Sequence, residues 1–199
     1  MGVEKMLLAF AAVSIAVIHS LAPDHYVPFV AIGKARMWSI KKILAFSTLA
    51  GTLHVLSSVA IGILLIFGIN LLGFAEAIEC LSPLLLIAIG LAYSIASLIK
   101  PHKHTHTSAT VVLLALSLSP CIPLIPIMLA TRTYAELLIV TTLYGVSTIS
   151  TIVTLTYLSS KAFKPPKIIH GKEDFLAGLI IALTGLLNYV FKLYESDEA

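Results

Sequence analysis

Apolar residues fill six long stretches of the chain, and most polar and charged residues lie in short segments between them. The stretches cover approximately residues 6–32, 43–69, 78–99, 108–131, 135–160 and 175–193. A helix that crosses the hydrocarbon core of a bilayer needs about 20 largely apolar residues. The pattern therefore predicts an all-α integral membrane protein with six transmembrane helices, and it leaves no room for a soluble domain.

The composition is typical of a membrane protein. Hydrophobic residues make up 58% of the 199 residues and charged residues only 12%, whereas about 25% of an ordinary soluble domain is charged. For the first stretch a cleaved signal peptide is the alternative, because Ser20, Leu21 and Ala22 resemble a small-residue cleavage site. The positive charge that such a peptide needs is weak, since Glu4 offsets Lys5, and cleavage would leave an odd number of spans.

The distribution of Lys and Arg predicts how the spans are oriented. Cytoplasmic loops retain positive charge during membrane insertion, and ten of the thirteen Lys and Arg residues lie in the first, third and fifth loops. These ten are Lys34, Arg36, Lys41, Lys42, Lys100, Lys103, Lys161, Lys164, Lys167 and Lys172. Both termini are therefore predicted to lie outside the cell membrane. The net charge of +3 is explained by these loops and gives no reason to expect nucleic acid as a partner.

The order of spans and loops predicts an internal inverted repeat of three plus three helices. Residues 1–100 form the first three-helix repeat, residues 101–107 a polar loop, and residues 108–199 the second repeat. Because each half has an odd number of spans, the second copy is inverted. The opening span of each half contains two prolines near its centre, within residues 22–28 and 119–123, which predicts that helices 1 and 4 are broken. Transporters built from inverted repeats bind their substrates at such breaks near mid-membrane.

The break in the first span follows from Pro23. Proline has no backbone N–H, so the carbonyl of His19, four residues earlier, loses its helical hydrogen-bond donor. In lipid this carbonyl must be satisfied by protein, water or an ion. On an intact helix the side chain of His19 would point about 140° away from Asp24 and about 120° away from His25. A break at Pro23 allows the three side chains to converge.

Away from the span ends, only four ionisable residues lie within the six stretches: His19, Asp24, His25 and His54. A charged Asp costs at least about 2.5 kcal/mol at the centre of a spanning helix, so such residues indicate function by default. Imidazoles with one carboxylate suit a divalent transition metal such as Ni, Co, Zn or Fe, whereas Mg and Ca prefer oxygen ligands. The prediction is a metal-ion transporter, with no enzymatic activity and no cofactor, that binds its substrate at these four residues. The alternative is a buried polar cluster that holds spans one and two together.

The segment from His19 to His25 also resembles a known family. It reads H-x4-D-H, the signature of nickel/cobalt permeases and of the related NicO and UreH-like membrane proteins. Residues 51–54 and 118–121 look like the second polar segment and the proline-containing segment of that family. The resemblance implies that the motif recognises nickel or cobalt during transport. Residues expected to line the transport path are Pro23, Ser119, Pro120, Cys121 and Tyr144.

The loop between the two repeats is rich in histidine. Its imidazoles, on His102, His104 and His106, occur at every second residue and are predicted to lie on the cytoplasmic side. Tracts of this kind bind metal, which is compatible with an auxiliary cytoplasmic site and with a metallochaperone as partner. A solvated connection between the repeats is the alternative. Membrane lipid is a further partner that the composition implies, and a homo-oligomer is compatible with it.

A second class of function follows from the segment around Cys121. Residues 119–124 resemble the S-P-C-x-x-P segment of membrane thiol-disulfide carriers related to the cytochrome c biogenesis protein CcdA. Such carriers need a second cysteine at the symmetry-related position of the first span, and that position holds Asp24. Cys80, the only other cysteine, lies at the outer start of the third span. A thiol-disulfide electron carrier that uses Cys121 is therefore the alternative to a metal transporter.

Overall fold

The computed structural model describes residues 3–69, 71–99, 120–162 and 172–197. Within these ranges every regular element is helical. The α-helices, in chain order, are α1 (Val3–Ser20), α2 (Val27–Ala35), α3 (Ile40–Ile66), α4 (Leu72–Ile99), α5 (Leu124–Leu129), α6 (Tyr134–Ala162) and α7 (Glu173–Asp197). The all-helical class predicted from the sequence is thereby confirmed.

Five of these helices are long and apolar enough to cross a bilayer. Their apolar segments comprise 18 to 29 residues, which at 1.5 Å per residue extend over about 27 to 44 Å, compared with about 30 Å for the hydrocarbon core. Many of their large apolar side chains are exposed, Phe10, Leu138 and Phe191 among them, as expected of surfaces that face lipid. Length and composition thus support a membrane protein.

The described residues cover the six predicted spans only in part. Five of the predicted stretches coincide with α1 and α2 taken together, α3, α4, α6 and α7. Of the fourth stretch, the structure describes Pro120 and the residues after it, where a turn leads into α5. Residues 108–119, with Ser119, lie outside the described ranges, as does the loop that carries the three alternating histidines. A helix before Pro120, and hence the complete inverted repeat, stays a prediction.

The first predicted span is interrupted, because α1 and α2 are joined through a single 3₁₀ turn at Pro23–His25. The carbonyl of His19, which cannot bond to Pro23, accepts a hydrogen bond from the backbone N–H of Ala22 at 3.2 Å. The protein itself therefore satisfies this carbonyl, so no water or ion is needed there. Pro28 lies in the first turn of α2, where a missing N–H removes no helical hydrogen bond.

Helices α4 and α7 form the most extensive helix pair. A Cβ added to Gly90 would collide with the backbone of Ala182, and one added to Gly178 would collide with the backbone of Gly90. Small residues at a helix contact let two backbones approach closely. The apolar core on this side of the molecule consists of Phe29, Ala31, Ile32, Ile43, Ala50, Leu86, Ala177 and Ile181.

Helix α6 organises the other side of the molecule by packing against α1, α2, α3 and α5. The core there consists of Ala12, Ala16, Cys121, Leu124, Ile127, Met128, Val140 and Tyr144. The 3₁₀ turn at Pro23–His25 contacts α7, whereas α1 contacts α6. The break in the first span therefore lies between the two cores.

An ion-pair network joins α2, α4 and α7. Arg36, which follows α2, has its Nε 3.1 Å from Oδ1 of Asp174 on α7 and donates from Nε to the hydroxyl of Tyr93 on α4 at 3.0 Å. The Tyr93 hydroxyl donates in turn to Oδ1 of Asp174 at 2.7 Å. The side chains of Arg36 and Asp174 are 9% and 27% exposed, so the network is largely buried.

Candidate metal centre

Three histidine rings meet at the break in the first span, two of them from the break itself. His19 lies in the last turn of α1 and His25 ends the 3₁₀ turn. Their ring centroids are 4.8 Å apart, with the ring planes inclined at 79°. On a continuous helix these two side chains would diverge by about 120°. The 3₁₀ turn removes this divergence and brings the rings into contact.

The third ring comes from α3. His54 is 8% exposed and shares the buried face of the helix with Ser47 and Ser58, because residues four or seven apart lie on one helical face. Its ring is stacked on that of His19, with centroids 5.9 Å apart, and stands across that of His25 at 5.1 Å. The structure thus brings together the three imidazoles of the predicted membrane site.

Asp24 reaches the cluster through His25. Its Oδ1 lies 2.8 Å from Nδ1 of His25, and its carboxylate also accepts a hydrogen bond from the side chain of Asn188 on α7. An ionised carboxylate can only accept, so His25 donates from Nδ1 and keeps a lone pair at Nε2. A carboxylate in this position orients metal-binding imidazoles in many proteins. Asp24 is therefore placed to hold His25.

Sequence reasoning missed Asn188. It is the single carboxamide in the last apolar stretch, residues 175–193, and a census of ionisable residues passes over it. An uncharged amide within a span still needs a hydrogen-bond partner, because an unpaired polar group in an apolar environment is costly. That requirement is the signal that could have identified it.

Cys121 places a sulphur atom beside the histidines. Its side chain is fully buried, and its Sγ lies 2.9 Å from the hydroxyl of Tyr144 on α6, which is fully buried as well. The backbone N–H of Cys121 donates to the hydroxyl of Ser58, and this hydroxyl donates to the carbonyl of His54 at 2.8 Å. Ser58 therefore fixes the segment before α5 against the turn of α3 that carries His54.

The donor atoms of His19, His54 and Cys121 converge. One ligand atom of each residue, a ring nitrogen or Sγ, lies within 4.8 Å of the other two. Nε2 of His19 is buried and has no hydrogen-bond partner among the described residues. Ligands of one tetrahedral zinc ion lie about 3.5 Å apart, given metal–ligand distances of about 2.0 to 2.3 Å. A movement of about 1 Å would therefore bring the three donors onto one ion.

The remaining residues predicted to line a transport path surround this cluster where the structure describes them. Pro23 opens the 3₁₀ turn, Pro120 is buried directly before Cys121, and Tyr144 bonds to the Cys121 sulphur. Their role in a path stays a prediction. Ser119 and the loop histidines His102, His104 and His106 lie outside the described residues.

The two cysteines occupy different environments. Cys121 is buried, whereas Cys80 on α4 is exposed, and both are free thiols. The polar partner of the Cys121 sulphur is the hydroxyl of Tyr144. The thiol-disulfide alternative stays a prediction.

Comparisons with known proteins yield no relative. No protein-family model matches the chain, and no curated protein or solved structure matches it either. The likeness to nickel/cobalt permeases therefore rests on the short motifs at residues 19–25, 51–54 and 118–121. The function has to be argued from the site itself.

Proposed function

We propose that this chain transports a divalent transition-metal ion, nickel or cobalt, through a binding site inside the membrane formed by His19, Asp24, His25 and His54. The observation that carries the proposal is the meeting of three imidazoles at the break in the first span. Burying polar groups together is costly unless each finds a partner. Asp24 partners His25, and a metal ion would be the partner of the buried Nε2 of His19.

The donor chemistry supports a transition metal. Neutral imidazoles bind Ni, Co, Zn and Fe well, whereas Mg and Ca prefer sites made of oxygen. The H-x4-D-H motif at residues 19–25 favours nickel or cobalt among these ions. The metal ion is the substrate in this proposal, which assigns the protein no cofactor and no enzymatic reaction.

The proposal includes six spans arranged as a three-plus-three inverted repeat, with both termini outside the cell membrane. The concentration of Lys and Arg in alternate loops supports this orientation. An inverted repeat exchanges span one with span four and span two with span five. The contact between α1 and α6 should then have a counterpart between α5 and α3, and both contacts are present. A site between the repeats could open to either side as the two halves move.

Transport by the purified protein in liposomes tests the proposal. Liposomes that contain a metal-sensitive dye should take up Ni²⁺ or Co²⁺ faster with the protein than without it, and Mg²⁺ no faster. His19→Ala should abolish uptake, because it removes a converging donor atom. The matched control carries three substitutions together: His102→Ala, His104→Ala and His106→Ala. These imidazoles lie outside the site, so this variant should retain uptake. An equal loss of metal uptake in both variants, or unchanged uptake in His19→Ala, would contradict the proposal.

A further inference from the structure

We infer that Cys121 is a ligand of the transported metal, so that the site combines imidazole nitrogens with a thiolate. The inference deepens the proposed function and rests on it. The sequence placed Cys121 along a transport path or, in the alternative function, as the thiol of an electron carrier. In the structure its Sγ completes the group of donor atoms that lie within 4.8 Å of one another, together with His19 and His54. Both cysteine and histidine are ordinary ligands of late first-row metals.

Charge balance favours a thiolate in this position. A divalent ion held by neutral imidazoles beside the single carboxylate of Asp24 would leave one positive charge uncompensated. Such a charge is expensive in an apolar interior. When the ion binds, the S–H bond of Cys121 breaks and its proton passes to water. The thiolate that forms the metal–sulphur bond supplies the second negative charge. The occupied site is then electrically neutral, with Asp24 acting through His25.

The surroundings of Cys121 are suited to a ligand that must keep one orientation. The hydroxyl of Tyr144, 2.9 Å away, is able to donate a hydrogen bond to a thiolate. Ser58 accepts the backbone N–H of Cys121 and thereby fixes the direction of the Cα–Cβ bond. Partners of this kind orient metal ligands and adjust their affinity. A cysteine that merely filled a small apolar space would require neither contact.

A thiolate ligand narrows the class of substrate and suggests how the ion is released. Sulphur ligands favour soft and borderline ions such as zinc, whereas Mn²⁺ prefers oxygen. His19 and His54 belong to the first half of the chain and Cys121 to the second. The bound ion therefore joins the two halves, and their separation would break the site apart.

X-ray absorption spectroscopy of the zinc-loaded Cys80→Ser protein tests the inference, because Cys121 is then the single thiol of the chain. The expected result is a sulphur ligand at about 2.3 Å together with nitrogen ligands at about 2.0 to 2.1 Å. The Cys121→Ser protein should lose the sulphur ligand and bind zinc at least about tenfold more weakly. Its preference for Zn²⁺ over Mn²⁺ should fall as well.

The outcomes separate this inference from the proposed function. Zinc bound by nitrogen and oxygen alone in the Cys80→Ser protein would overturn the inference and leave metal transport standing. Failure of the unaltered protein to bind any divalent transition metal would overturn both. The absorption spectrum of the Cys80→Ser protein is measured with Cys121 in place. It therefore tests the inference even if the Cys121→Ser protein does not fold.

A second inference rests on a different observation, the hydroxyl groups on the buried face of α6. Three of them are buried without a hydrogen-bond partner among the described residues: Thr148, Thr156 and Ser160. Thr141 and Thr151 on the same helix instead donate to the carbonyls of Leu137 and Ser147. Threonine hydroxyls within helices commonly form this bond to the preceding turn. Thr148, Thr156 and Ser160 instead lie on the part of α6 that is buried in the protein, without this bond.

The geometry points to this face as the wall of a hydrated route between the metal cluster and the far end of α6. Each step of four residues turns by about 40° around a helix, so Tyr144, Thr148, Thr156 and Ser160 lie along a line that winds about 160° around α6. Ile152, also buried, lies in the same line between Thr148 and Thr156. The line extends over about 24 Å at 1.5 Å per residue. Buried polar atoms without protein partners are commonly met by water or ions. We infer that water and the metal ion contact these hydroxyls once the two halves separate.

Cysteine accessibility tests the second inference. Thr148→Cys, Thr156→Cys and Ser160→Cys, each in the Cys80→Ser background, should react with a water-soluble methanethiosulfonate in membranes exposed on both sides. Their rates should exceed that of Thr151→Cys at least tenfold, since that control lies on the same helix but off the line. The Cys80→Ser protein without a further substitution gives the background rate of labelling. Rates equal to that of Thr151→Cys at all three positions would overturn the inference without touching metal binding by the cluster.

Discussion

The imidazole rings of His19 and His54 lie stacked, with their centroids 5.9 Å apart and their planes inclined by only 8°. One ring nitrogen of each lies within 4.8 Å of one of the other. Ring nitrogens of neutral imidazoles are common ligands of transition metals. The stacked pair therefore places two of the proposed ligands side by side.

Asp24→Asn should weaken metal binding more than any single His→Ala change. The substitution removes the charge that compensates a desolvated cation and the acceptor that orients His25. Loss of such an orienting partner alone lowers metal affinity by about 10- to 100-fold. Titration calorimetry with Ni²⁺, Co²⁺ and Zn²⁺ measures the change. Asp174→Asn is the matched control, because its carboxylate bonds to Arg36 and Tyr93. If Asp24→Asn binds as tightly as the control, the cluster is only a structural polar contact.

Metal affinity should fall as the pH is lowered below about 6.5, the pKa of an unperturbed histidine. A proton and a metal ion compete for the same ring nitrogen, so the protonated form of His19 or His54 cannot bind. Binding is therefore tight at neutral pH and weakens with increasing acidity. The apparent Kd for Ni²⁺, measured at a series of pH values above and below about 6.5, tests this prediction. An affinity that does not change with pH would exclude imidazole as the principal ligand.

Tyr93→Phe should destabilise the packing of α2, α4 and α7. It removes the hydroxyl that accepts from Arg36 and donates to Asp174, which costs about 1 to 3 kcal/mol when the partners stay buried. Thermal unfolding in detergent, followed by circular dichroism, measures the loss. Glu4→Gln serves as control, because the side chains of the pair Glu4–Arg132 are 84% and 81% exposed. Exposed pairs contribute little to stability, so similar shifts in both variants would contradict the role of the network.

Labelling of single cysteines checks the topology. In a Cys80→Ser, Cys121→Ser background, cysteines at positions 37, 104 and 168 should react with impermeant reagents only from the cytoplasm. Met37 is well suited because it is 91% exposed. Tyr134, 86% exposed at the start of α6, should react as Tyr134→Cys only from outside. Reaction of position 104 from outside would reverse the predicted orientation.

Cys80→Ser should leave metal uptake unchanged, because Cys80 is exposed and is not one of the converging donors. A thiol-disulfide carrier that used both cysteines would instead lose its activity. The assay compares uptake of Ni²⁺ with reduction of a thioredoxin-like protein in the same liposomes. If the unaltered protein transfers electrons and Cys80→Ser does not, the carrier is the function.

The sequence by itself determined the five long helices that the structure describes and the break in the first span, because both have local causes. The length of an apolar stretch decides whether a helix can cross a bilayer. The missing N–H of Pro23 acts on the carbonyl four residues earlier. His19, Asp24 and His25 lie within seven consecutive residues, so a break between them was enough to bring them together. The satisfaction of the His19 carbonyl by Ala22 was not predicted, because it depends on the tighter 3₁₀ turn.

Only the tertiary structure decided how distant residues approach that segment. The sequence singled out His54 on α3 for the site, but the approach of His54, of Cys121 before α5 and of Asn188 on α7 depends on helix packing. The backbone contact of Gly90 with Gly178 and the hydrogen bonds of Ser58 belong to that packing. Contacts between remote segments depend on distances of a few ångströms that no periodicity along the chain encodes. For the same reason the sequence could place a carboxylate near the histidines, but only the fold gave it His25 and Asn188 as partners.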